Sequence, residues 1–340
     1  MPEPVRHPAL ATGAAPPFPP PTAMPYRALM DVVTWLLDSD PALRWQVLAD
    51  LTDAPAQEVA AERARVATTG WGGALLAEQA EDGRWDGGTY RPGWAREDRP
   101  FFDAWTATHH VLQELADLGV DPASPEVRRA VGRVRDNVRW EHEDEPYFAG
   151  EVEPCINGIA LRTSAYFGED GGSIAATLLG TRLPDGGWNC WAEDATAVSS
   201  FHSTICAVEG LLAWERTGGA TPEAAEARAT GEEYLLARGL FRRRSDGTVA
   251  DLRMTMLSYP TRWYHDILRG LEHFRVAGRR DERLAEVVDV LRAKADTNGM
   301  WHLENAHQGP CWLDYGEGEG FPSRWLTFRA LRVLRWWDGV

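Results

Sequence analysis

Apolar residues along this chain recur at intervals of three and four, as in Ile205, Val208, Leu211 and Leu212, or Ile267, Leu268, Leu271 and Phe274. That spacing puts them on one face of a 3.6-residue turn and predicts α-helix. Alternation of period two, the mark of a half-buried strand, is scarce. Helical stretches of about 10 to 15 residues alternate with turn-forming sequences rich in Gly, Pro and Asp: Asp121-Pro122, Pro184 to Gly187, and Gly316 to Pro322. The pattern predicts an all-α fold of paired helices beginning near Tyr26. Residues 1–25 hold nine prolines and predict a disordered leader, which leaves 26–340 as a single domain.

The pattern also repeats. An apolar helix end, a polar turn and a Trp two residues after a Gly occur three times, at Gly83 and Trp85, Gly186 and Trp188, and Gly299 and Trp301. Each follows leucines: Leu75-Leu76, Leu178-Leu179 and Leu291. A second kind of helix start is rich in His, Cys and Trp. It appears at Trp105 to His110, Glu153 to Cys155, Ser199 to His202, Trp263 to Asp266, and Pro322 to Trp325. The anchors His109, Cys155, His202, His265 and Trp325 lie 46, 47, 63 and 60 residues apart, which suits one helix pair per interval.

Composition sharpens this picture in three ways. A chain of 340 residues, 44% hydrophobic, can bury a continuous core. Its 16 Trp exceed its 10 Phe and 8 Tyr, which calls for large packing wedges or flat apolar walls. A formal charge of −16 repels phosphate backbones, so nucleic acid is not an expected partner. No stretch has the roughly 20 apolar residues of a transmembrane segment, and the start lacks a signal-peptide pattern, so the expectation is a cytoplasmic protein. Its four cysteines, Cys155, Cys190, Cys206 and Cys311, are then free thiols or metal ligands rather than a disulfide framework.

These residues resemble the terpenoid-cyclase and protein-prenyltransferase superfamily, whose fold is an α/α toroid, a barrel of inner and outer helices. The repeated turns look like degenerate copies of its Gln-Trp motif; only the first keeps the glutamine, as Gln79 with Trp85, and the second has Arg182. Glu153 to Gly158, Gly186 to Cys190, Ser200 to Thr204 and Phe321 to Trp325 also resemble bacterial proteins described as squalene-cyclase-like. The likeness covers roughly residues 30 to 338. The acidic Asp-x-Asp-Asp motif of such cyclases is absent; the nearest string is Glu193 to Ala197. A single barrel looks more like the prenyltransferase catalytic subunit, where an acidic residue, a Cys two positions on and a His at the next inner helix hold zinc. The matching positions are Glu153, Cys155 and His202, with Cys190 as a rival ligand.

The resemblance therefore implies a Zn2+ ion held by Cys155, His202 and either Glu153 or Cys190, a thiolate and imidazole set with room for a further ligand. The helix dipole favours a thiolate at Cys155, and Pro154 suits a first helical turn. His109, His265 and Asp266 are candidate catalytic acids or bases. Trp105, Trp263, Trp325 and Asn157 are candidates for lining a cavity for a hydrophobic, isoprenoid-type substrate, where aromatic faces also stabilise a carbocation. Trp85, Trp188 and Trp301 read as structural wedges. The loop carrying Cys311, Asp314, Glu317 and Glu319 is a candidate lid. Two alternatives stay open: a metal-free, acid-initiated cyclase using Asp194, His265 or Asp266, and a non-catalytic toroid that binds a hydrophobic ligand or partner.

Overall fold

The computed structural model describes residues 26–95, 104–191 and 197–339. Among them the chain is helical and forms no β-strand. The proline-rich leader and Asp194 lie outside the described residues. In chain order the helices are α1 (Tyr26–Leu37), α2 (Pro41–Leu51), α3 (Ala56–Arg65), α4 (Gly70–Ala77), α5 (Thr108–Leu118), α6 (Pro125–Asn137) and α7 (Pro154–Phe167). They continue with α8 (Gly172–Gly180), α9 (Phe201–Trp214), α10 (Pro222–Leu236), α11 (Ile267–Ala277), α12 (Ala285–Ala293) and α13 (Arg324–Asp338). No helix among the described residues is long and apolar enough to cross a membrane.

Two kinds of helix are visible in the burial pattern. In α6 the buried residues are Val127, Ala130, Val131 and Val134, a single stripe, and α12 likewise buries only Val287, Val288 and Leu291. Such helices cover a core with one face. By contrast α7 is buried from Pro154 to Ala165 apart from Arg162, and α9 is buried over most of its length, so both are surrounded by protein.

The surrounded helices touch one another in succession: α5 packs on α7, α7 on α9, α9 on α11, and α11 on α13. The succession continues from α13 to α2. From there it returns to α5, where the Trp45 indole and the Gln46 amide donate to the carbonyls of Leu118 and Asp117 at 3.2 and 3.1 Å. The remaining helices pack against them, α4 on α5, α8 on α7, α10 on α9 and α12 on α11.

The three Trp turns are built alike. In each, the glycine two residues before the Trp has positive φ, between 78° at Gly299 and 101° at Gly186, a conformation that favours residues lacking Cβ. The indole N–H of Trp85, Trp188 and Trp301 donates to the carbonyl of Leu75, Leu178 and Leu291, at 2.7, 2.7 and 2.8 Å. Their backbone N–H groups donate to the hydroxyls of Thr108, Thr204 and Thr327 at 3.1, 3.1 and 2.9 Å. Each fully buried Trp thus ties one helix to the next, α4 to α5, α8 to α9 and α12 to α13. Gln79 adds bonds to the Gly83 and Ala130 carbonyls, joining its turn to α6, while Arg182 makes the comparable reach to Thr230 on α10.

Candidate functional site

Glu153 is the N-cap of α7, Pro154 supplies its fixed φ to the first turn, and Cys155 follows. The turn after Trp188 then brings Cys190 against that helix start. The ligand atoms of Glu153, Cys155 and Cys190 all lie within 4.8 Å of one another. The two sulfurs are 3.0 Å apart, well beyond the length of a disulfide, and both thiols are free. Cys155 Sγ donates to Glu153 Oε2 at 3.7 Å, and Ser203 Oγ lies 3.3 Å from Cys190 Sγ.

The pair divides its protons unequally. The hydrogen bond with Cys190 and then burial push the Cys155 thiol well above its ordinary value. The Cys190 thiol is held below its ordinary value by that same bond, which outweighs burial, with help from Ser203. The Tyr90 hydroxyl is pushed up well above its usual range by burial, and then by the charges of Cys155, Glu153 and Cys190.

His202 is outside the clustered group. Its Nδ1 accepts the backbone N–H of His265 at 2.8 Å, and burial, reinforced by Arg269, lowers it to about 4. It is a neutral imidazole with Nδ1 committed. The ring belongs to an aromatic surface: it meets Trp263 and Tyr264 edge-on at 5.4 and 5.6 Å, and those two stack at 3.8 Å. Tyr264 stacks on His307 at 4.2 Å, and Trp105 lies edge-on to Tyr264 at 6.3 Å. Trp105 and Trp263 therefore share one surface with His202.

The remaining candidates fill supporting positions. His109 is fully buried, with Nδ1 3.1 Å from the Tyr147 hydroxyl, and burial lowers it to about 3. His265 donates Nε2–H to the Leu240 carbonyl at 2.7 Å, stacks on Phe201 and is lowered to about 3 by burial. Asp266 caps α11, accepting from the Arg269 and Ser258 N–H groups at 2.9 and 3.1 Å. Both ends of the buried Asn157 amide are engaged with the backbone of Glu151. In the C-terminal loop, Glu317 accepts from the Arg324 N–H at 2.6 Å and Glu319 from the Ala306 N–H at 3.0 Å. These carboxylates hold the loop in place.

Trp325 lies elsewhere, stacked on Tyr259 at 4.8 Å in the wall of a cavity of about 520 Å³. Neither Trp105 nor Trp263 lines that cavity. Its wall sets Arg162, Arg329, Arg332 and Glu272 beside apolar and aromatic groups, among them Leu212, Tyr259 and Trp325. The residues that sequence reasoning missed are Tyr90, Ser203, Tyr264 and His307. Ser203 and Tyr264 each sit next to a chosen histidine, which is the one signal available for them.

No model of a known protein family matches this chain, and no curated protein matches it.

Proposed function

We propose that this protein is a single α/α toroid and a zinc-assisted enzyme, similar to terpenoid cyclases and prenyltransferases, that acts on a hydrophobic, isoprenoid-type molecule. The observation that carries the reading is the meeting of Glu153, Cys155 and Cys190 within 4.8 Å at one rim of the helix succession. The toroid is supported by the contacts that run from α2 round to α13 and back, and by the three like-built Trp turns. Two sulfurs and a carboxylate suit zinc, a borderline ion that takes soft thiolates and harder carboxylates in sets of four and keeps an open position where it acts.

When bound, zinc supplies a Lewis acid, or a thiolate or water activated at neutral pH. The residues here prepare that role. Cys190 offers a sulfur held below its ordinary value by its bond with Cys155, Cys155 a sulfur that this bond and burial push up against the thiolate expected at a helix start, and Glu153 a carboxylate. His202, Trp263, Tyr264 and Trp105 give an apolar surface nearby that excludes water and holds an isoprenoid chain by its flat faces. Of the donors the metal-free alternative would use, His265 is held neutral by burial and Asp266 caps α11 with its carboxyl pushed up by burial, while Asp194 lies outside the described residues.

Metal analysis of the purified chain tests the reading, followed by extraction of products after incubation with polyprenyl substrates. One zinc per chain and converted polyprenyl are expected, with both lost in Cys155→Ser and Cys190→Ser. Zinc-free wild-type protein, or variants that keep full metal content, would overturn it.

A further inference from the structure

The cavity at Trp325 is separate from the thiol group. Arg162 in its wall is seven residues beyond Cys155, about 10 Å farther along α7 at the helical rise. Helices α2, α5, α7, α9, α11 and α13 all contribute to the wall. At one end Arg216 and Thr217 are exposed; at the other Tyr259 and Trp325 are buried. The space therefore has a wet end and a dry, aromatic end.

Its charges do not balance. Five arginines line it, Arg63, Arg162, Arg216, Arg329 and Arg332, against three carboxylates, Asp117, Glu209 and Glu272. The carboxylates are already committed. Asp117 pairs with Arg162 at 2.8 Å, and Glu209 with Arg269, outside the wall, at 2.7 Å. Glu272 serves Arg275 at 3.1 Å and Arg332 together. Burial works to raise Glu209 and Glu272, but their arginines outweigh it and hold both near about 2, so both are ionised.

That leaves arginines without a carboxylate partner at hydrogen-bond distance among the described residues. Arg63 bonds only carbonyls and the Tyr166 hydroxyl, and Arg216 only the Val276 carbonyl. Arg329 has a single ion pair, 3.8 Å from the overcommitted Glu272. The Nε–H groups of Arg162, Arg329 and Arg332 are buried without an acceptor. Guanidinium groups sequestered without full pairing are costly, and a guest anion relieves that cost. In a chain of net charge −16, a local excess of arginine around one cavity is not a by-product of composition.

We propose that this cavity binds a small organic anion, its carboxylate or phosphate group on Arg329 with Arg162, and its apolar body against Trp325 and Tyr259. Guanidinium forks suit both oxyanions, and the aromatic end suits a flat or unsaturated body. The volume accommodates a molecule of small-metabolite size. Nothing in this site depends on zinc, so its test is independent of the thiol group.

Phenyl phosphate and phthalate serve as probes, in thermal unfolding and titration calorimetry at matched ionic strength in chloride. At least one is expected to raise the unfolding midpoint saturably, by about 2–4 °C; which one responds separates a phosphate from a carboxylate ligand. Arg329→Gln, whose side chain has little to lose in folding contacts, is expected to weaken that binding about tenfold or more. The unliganded midpoint of this variant should stay near wild type. No saturable response to either probe, or equal binding by wild type and Arg329→Gln, would overturn the site.

Discussion

His109 and His265 are nine-tenths or more buried and both are lowered to about 3, against an ordinary value of 6.5. Each is neutral in the folded chain and takes up a proton on unfolding as the pH drops below 6.5. The unfolded state then binds more protons, so stability present above that pH is lost progressively toward the folded values. By pH 5 the loss is about 2 kcal/mol for each imidazole. Urea unfolding at pH 7.5 and pH 5 checks this: the midpoint should fall, and His109→Asn should show a smaller drop than wild type. A midpoint independent of pH would contradict the assignment. The sequence marked these histidines as candidate catalysts because they stand at helix starts. It gave no measure of the solvent they lose, and that loss is what makes them poor proton donors here.

At the scale of elements, the site depends on how closely α7 and α9 approach. A Cβ on Gly158 would lie 2.2 Å from the Cys206 carbonyl carbon, and one on Gly210 would lie 2.4 Å from the Gly158 carbonyl oxygen. The helices meet backbone to backbone, and that contact fixes Cys155 relative to the residues before and within α9. Gly158→Ala is therefore expected to push them apart, costing about 3 kcal/mol or more and lowering affinity for the proposed zinc in equilibrium dialysis. Unchanged stability and affinity would show that α7 and α9 are not so constrained. The Trp turns were legible because glycine and tryptophan repeat at fixed spacing. Their threonine partners were not, since Thr108 opens α5 while Thr204 and Thr327 lie one turn into α9 and α13. The helix starts were legible in the same uneven way. His109, Cys155, His202 and Trp325 are each the second residue of a helix, but His265 precedes α11, and α2 carries no such anchor.

At the scale of the whole molecule, the return of the helix succession from α13 to α2 rests on polar contacts. Arg332 reaches Gln46 and Asp50 on α2, each at 3.4 Å, and Glu272 on α11. Arg332→Leu strands part of that charge and is expected to cost about 3 kcal/mol. Arg242→Leu breaks the exposed pair with Glu286 and should cost under about 1 kcal/mol. Equal, small losses in denaturant titrations of the two variants would show that this seam does not matter to stability. Apolar periodicity in the sequence by itself determined that the chain is helical, and repetition determined where tryptophan staples one helix to the next. Those are local properties, set by side-chain spacing and backbone preference within a few turns. Tertiary structure alone decided which thiols meet, why His202 stands aside with its ring nitrogen bonded, and that the cavity at Trp325 is lined by arginine. Those depend on distances between residues far apart in the chain, and on water excluded when the helices pack, neither of which is written in the spacing of residues along it.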